Sequence, residues 1–137
     1  MPFTFVMLPP HTDVARDWAT RLTRDVPEAK IVVPEGDNEA MVAIADADGA
    51  YGTPTPALLA EGKKLRWWQA PMAAPPAGFY SSELVAHPAQ VTNMREIYND
   101  HIGAHIMAFV LAFARDFHTY LPQQLRREWK QKPLDTG

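Results

Sequence analysis

The residues with chemistry to offer are few. His101 and His105 lie one helical turn apart, a spacing that can present two imidazoles to one metal ion. No Glu follows His101 directly, so the metalloprotease pattern is absent. The plainer account is a capping or solvent-facing His101 and an interface His105. Asp100 beside His101, and Arg95 beside Glu96, do acid–base work only with a nucleophile or partner in fixed geometry. Without one they read as polar residues at a helix start. Glycines stand at 36, 49, 52, 62, 78, 103 and 137, and no G-x-G-x-x-G or P-loop can be drawn from them. The segment from Met72 to Ala74 has small side chains and free backbone N–H groups of the kind that hold a carboxylate.

Composition narrows the frame. The chain has 137 residues, a formal net charge of -3 and 13 prolines gathered in connecting segments. That length suits one domain with a real core. There is no basic stripe to release counterions, so nucleic acid is not expected as a partner. Cysteine is absent, which excludes a disulfide framework and fits a reducing cytoplasm. The first ten residues lack a basic segment followed by a long apolar run, so no signal peptide is expected. The longest apolar helix contains His105 and is too short on either side of it to span a membrane.

The elements alternate. Residues 3–8 read as a buried strand closed by Pro9 and Pro10. Thr12 or Asp13 caps a helix to about Arg24, with Val14, Trp18 and Leu22 on one face. Residues 31–33 form a second strand, and Asp37 or Asn38 starts a helix with Met41, Ile44 and Ala45 inward. A third strand lies within residues 47–52, and Thr55-Pro56 opens a helix that buries Leu58 and Leu59. Residues 65–69 form a fourth strand whose Trp67 and Trp68 point to opposite faces of a covered sheet. Ser81 or Ser82 caps a short helix through Val85, and residues 89–92 are a fifth strand. Such alternation calls for an α/β fold: a flavodoxin-like, five-stranded parallel sheet with helices on both faces. Ligands of such sheets sit beyond the carboxyl ends of the strands. That puts residues 9–11, 52–55, 70–78 and 93–98 at the functional edge.

Residues 98–121 read as one long helix, capped by Asn99 or Asp100 and stopped or kinked at Pro122. Ile102, Ile106, Phe109, Phe113, Phe117 and Tyr120 recur at steps of three or four, a helical face. Met107, Val110 and Leu111 lie off that stripe, with Gly103, Ala104, Ala108, Ala112 and Ala114 filling the rest. A helix apolar all round is buried all round, and a chain of this length hardly covers every side. Part of the helix is therefore expected to be covered from outside the chain. The charged tail after Pro122 reads as a short amphipathic helix.

Several segments together resemble the N-terminal half of the D-isomer-specific 2-hydroxyacid dehydrogenases. They are ADGAYGTPTPALL from Ala47, KLRWWQAPMA from Lys64, ELVAHP from Glu83 and VTNMREIYNDHIGAHIMAFVLAFAR from Val91, then Trp129 before PLDTG from Pro133. The resemblance implies a catalytic domain over residues 1–96 that binds substrate opposite a Rossmann NAD(P) domain. It implies that residues 97–137 hold the helix that opens the cofactor domain and packs in the dimer. The loop after the fourth strand looks like the family's carboxylate loop, normally Ser-x-Gly-Val-Asp. Here Ala74 stands at the glycine position, and Pro75 after it has no N–H to donate. Ala73 and Ala74 remain as donors.

The expected substrate-side residues are Thr53, Met72, Ala73 and Ala74. The expected dimer contacts are Ile102, His105, Ile106, Phe109, Val110 and Phe113. The family's glycine motif, and its catalytic Arg, Glu and His, have no counterpart in the chain. No residue is therefore assigned to catalysis, to a metal or to NAD or NADP, and none of these cofactors is expected on this chain alone. The expected partners are a second copy of the chain and, for the family's full-length enzyme, a small 2-hydroxy or 2-oxo acid.

Overall fold

A computed structural model describes residues 3–131 and 133. The chain divides into two compact units, Met1–Glu96 and Ile97–Gly137.

The first unit is a parallel sheet with strand order β2-β1-β3-β4-β5. Its strands are β1 (Phe3–Met7), β2 (Ala29–Val32), β3 (Gly49–Tyr51), β4 (Trp67–Gln69) and β5 (Gln90–Thr92). Its helices are α1 (Asp13–Asp25), α2 (Asp37–Ile44), α3 (Pro56–Glu61) and α4 (Ser82–Ala86). The register pairs Phe5 with Ile31 on one side and Gly49 on the other, then Ala50 with Trp68 and Trp68 with Val91. Three helices start where a hydroxyl can cap them: Thr12 accepts from Ala15 N–H, Thr55 from Leu58 N–H and Ser81 from Leu84 N–H. Each such cap contributes about 1 kcal/mol. The flavodoxin-like arrangement expected from the alternation is the one observed.

Alternation along β1 sorts the core into two layers. Val6 and Leu8 join Ile44, Leu58, Leu59, Trp68 and Leu84 beneath α2, α3 and α4. Phe5 and Met7 face α1 through Ala15 and Ala19. Here two expectations are corrected. Val14 is 56% exposed and Trp18 36%, so the buried residues of α1 are Ala15 and Ala19, and of the expected face Leu22 packs against their cluster. A helix lying close over the aromatic rings of β1 needs small residues at its contact line, and apolarity alone does not reveal that. Second, the sheet is not covered evenly. Trp68 is fully buried, while Trp67 is half-buried beside an apolar cleft between α1 and the sheet that Trp18, Leu22 and Tyr51 also line.

The second unit holds α5 (Asn99–Ala114) and α6 (Phe117–Leu125), where a single helix was expected. The chain breaks at Asp116, which is left-handed with φ 55°. Asp116 N–H donates to Phe113 O at 3.1 Å, closing α5, and Asp116 O accepts from Thr119 and Tyr120 N–H, opening α6. Aspartate tolerates that conformation better than most residues. Pro122 lies inside α6 and does not end it. The start of α5 is also corrected: Tyr98, not Asn99 or Asp100, occupies the cap position, without a side-chain bond. The expected tail helix is limited to α6, which ends at Leu125; residues 132 and 134–137, including most of the PLDTG segment, lie outside the described residues.

Candidate functional site

The carboxyl edge of β3, β4 and β5 is tied together by backbone bonds and indole, amide and hydroxyl groups. Gly52 N–H donates to Gln69 O at 3.2 Å, and Ala70 N–H donates to Thr92 O at 2.8 Å. These bonds carry the parallel ladder past the strand ends and bring the three loops alongside one another. Trp68 Nε1 donates to Gly52 O at 2.9 Å. Trp67 Nε1 donates to Thr92 Oγ1 at 2.7 Å, the Thr92 hydroxyl to Gln69 Oε1 at 2.7 Å, and Gln69 Nε2 to Ala70 O at 2.9 Å. Past that edge, Asn93 Nδ2 donates to Ala73 O at 2.8 Å.

The substrate-side residues expected from sequence fall on this edge. Thr53 is exposed and follows Gly52 at the end of β3. Met72, Ala73 and Ala74 follow β4, with the first two half-buried and Ala74 exposed. Among the described residues neither Ala73 N–H nor Ala74 N–H has a protein acceptor. The turn into Thr53 is made by Gly52 at φ 136°, where a Cβ would meet Leu8 Cβ at 2.9 Å. Sequence reasoning missed Gln69 and Thr92, and it put Asn93 at the edge only as the first residue of the loop 93–98, without a role. Their one signal was position: each stands at or just after the end of a strand.

Ionised side chains are sparse at these three loops. Further along the same edge, past β1 and β2, Arg16 grips Glu35 with two bonds, at 2.8 and 2.6 Å. That guanidinium holds the Glu35 carboxyl below the usual carboxylate range. His11 Nε2 donates to Pro34 O at 2.7 Å. At the opposite end of the strands, Asp48 accepts from Thr4 N–H at 3.0 Å and from Arg66 at 3.0 Å. The Thr4 bond is the larger cause of its lowered pKa. The Arg16–Glu35 and Arg66–Asp48 pairs are exposed, and the His11–Pro34 and Thr4–Asp48 bonds are half-buried.

In the second unit Ile102, Ile106, Phe109, Val110 and Phe113 are 51–65% exposed, and no residue of α5 is buried. His105 is exposed and stacks edge-on against Phe109, with ring centroids 4.8 Å apart. His101 is exposed as well, and the described residues contain no group of three or more potential metal ligands. No helix among them is long and apolar enough to cross a membrane. A dinucleotide cradle needs glycine where the backbone approaches the pyrophosphate. The loop after β1 is Pro9-Pro10-His11, with no glycine to let a pyrophosphate approach, so the residues present do not fit one.

No protein-family model and no curated protein matches the sequence. Solved structures do. A D-isomer specific 2-hydroxyacid dehydrogenase family protein from Klebsiella pneumoniae 342 is 26% identical, with a TM-score of 0.69 over 96% of this chain and 40% of that one. One from Aeromonas salmonicida subsp. salmonicida A449 is 22% identical, with a TM-score of 0.69 over 97% of this chain and 42% of that one. An NAD+-bound 3-phosphoglycerate dehydrogenase of Entamoeba histolytica is 15% identical, with a TM-score of 0.53 over 68% of this chain and 33% of that one, a likeness of fold alone. The chain thus spans about two fifths of the first two proteins (42% and 40%). Strand order, the segments that carry the resemblance and the match to the Klebsiella protein agree: over nearly its whole length the chain is similar in fold to D-isomer specific 2-hydroxyacid dehydrogenase family proteins.

Proposed function

We propose that this chain supplies the substrate-binding part of an NAD- or NADP-dependent D-2-hydroxyacid dehydrogenase, which interconverts a 2-oxo acid and a 2-hydroxy acid. The observation that supports it is the loop at Met72–Ala74: backbone donors without protein acceptors, beside Thr53, at the carboxyl edge of a parallel sheet. A carboxylate suits such donors because ionised acceptors make the stronger hydrogen bonds. A bound nicotinamide would supply the hydride, and the residues described above do not form a cradle for it. In this reading the chain's own contribution is to bind and orient the acid. A cytoplasmic setting suits its lack of cysteine.

The test is NADH oxidation with glyoxylate, pyruvate and hydroxypyruvate by the purified chain, beside direct binding of the same acids. The expected result is acid binding without turnover. Turnover would overturn the assignment of the dinucleotide site to other residues, and absence of acid binding would overturn the carboxylate loop.

A second reading is a non-catalytic module that pairs two copies of the chain. It is favoured by α5, whose large apolar side chains are about half exposed around the whole helix. Multi-angle light scattering tests it: a dimer at micromolar concentration supports it and a strict monomer removes it.

A further inference from the structure

We infer that Asn93 is a positioning residue for the carboxylate loop: by holding Ala73 O it sets the direction of the Ala74 N–H that meets the acid. This rests on the substrate-binding reading above and extends it to a residue that neither composition nor spacing singled out.

The argument is one of peptide geometry. The Asn93 side chain donates to Ala73 O at 2.8 Å across 20 residues of chain. The peptide joining Ala73 to Ala74 is trans. In a trans, planar peptide the carbonyl and the following N–H point in opposite directions. Fixing Ala73 O therefore fixes the Ala74 N–H, turned away from Asn93 and left without a protein acceptor among the described residues. The next residue, Pro75, has no N–H, so no donor follows Ala74 directly to substitute for a misdirected one. Asn93 is itself placed by the sheet: Thr92 is the last residue of β5, and its carbonyl accepts from Ala70 N–H at 2.8 Å. The strand register thus carries Asn93 to the loop. The remaining internal bond of the loop, Phe79 N–H to Pro76 O at 3.1 Å, lies beyond the donors and does not orient them.

The experiment uses the 137-residue chain, labelled with nitrogen-15 and titrated with glyoxylate. In the unsubstituted protein the Ala74 amide signal is expected to move on addition of the acid. Asn93→Ala is expected to weaken glyoxylate about threefold to tenfold, the effect of one orienting hydrogen bond. It is also expected to shift the Ala74 amide resonance without acid present, while the melting transition stays put. Asn93→Gln, which keeps the donor on a longer arm, is expected to restore part of the affinity. If Asn93→Ala unfolds the chain, Asn93→Asp, of the same size but without the Nδ2 donor, takes its place. Unchanged affinity and an unchanged Ala74 amide resonance in the variant, beside a responding parent, overturn the role of Asn93 alone. No response at any loop amide of the parent overturns the substrate-binding reading and the inference with it.

Discussion

Trp68 and Gly52 meet at the carboxyl edge of the sheet, where a fully buried indole Nε1 donates to a backbone carbonyl oxygen at 2.9 Å. That contact makes one side chain part of the core and part of the site's frame. Its ring fills the layer under α2, α3 and α4, and its nitrogen fixes the residue before Thr53. A buried carbonyl that loses its donor costs more than the bond itself contributes. Trp68→Phe removes the N–H and some volume, and should destabilise the chain by roughly 2–4 kcal/mol in urea unfolding. A loss below about 0.5 kcal/mol, the ordinary effect of a surface change, would show that water replaces the indole without cost.

Gly52 answers to two constraints at once. Its φ of 136° is a conformation that L side chains avoid, and a Cβ there would sit 2.9 Å from Leu8 Cβ. Gly52→Ala should therefore cost about 1–3 kcal/mol from backbone strain, with the clash on top. Leu8→Ala keeps the offending Cβ, so it should not rescue the variant, and the double-mutant cycle should show little coupling relief. Gly78 is the control: its φ is 85°, but nothing lies within 4 Å of its Cβ position. Gly78→Ala should lose only the strain contribution, of about 1 kcal/mol. Equal losses at both glycines would mean that the Leu8 contact is relieved by a small backbone shift.

Acid should loosen the first unit at its amino edge. The Asp48 carboxyl is lowered from its ordinary 3.8, first by the Thr4 N–H bond and further by Arg66. A carboxylate with a lowered folded pKa contributes stability that is complete above its unfolded value and lost as pH falls through the folded one. Melting temperature should therefore be flat on this account above about pH 5 and fall below about pH 4. Asp48→Asn should flatten part of that acid slope while leaving the slope from Glu35 and Asp46, whose carboxyls are also lowered. An acid slope identical in parent and variant would show that Asp48 is bonded equally well when protonated.

The parts legible in the sequence are those carried by local chemistry. Thr12, Thr55 and Ser81 announce their helices because a hydroxyl before an apolar run has one strong use, and each makes the cap bond. Short apolar runs bounded by proline and glycine announce the strands. Asp116 was not legible, because its left-handed turn follows from how α5 ends and not from a residue type that demands it. Neither was the Asn93–Ala73 bond, which depends on the register of β4 against β5. The loop at residues 70–78 was found through its small residues and its place after a strand. What orients it lay in a part of the chain 20 residues further on.

The apolar surface of α5 leads to the last prediction. Phe109 and Phe113 are 53% and 65% exposed, and Gly103 has nothing within 4 Å of its Cβ position. Within one copy these residues have little to lose. Gly103→Ala should therefore stabilise an isolated helix, by about 1 kcal/mol of helix propensity, and Phe109→Asp should leave the monomer's own packing intact. If a second copy covers the helix, the same changes act differently. Phe109→Asp buries a carboxylate against apolar side chains, which costs several kcal/mol and should convert a dimer to a monomer by light scattering. Gly103→Leu should do the same wherever two helices approach closely at the small residues Gly103, Ala104, Ala108 and Ala112. Parent and variants of one and the same mass would place the partner face elsewhere, and the half-exposed aromatic rings of α5 would then need a different occupant.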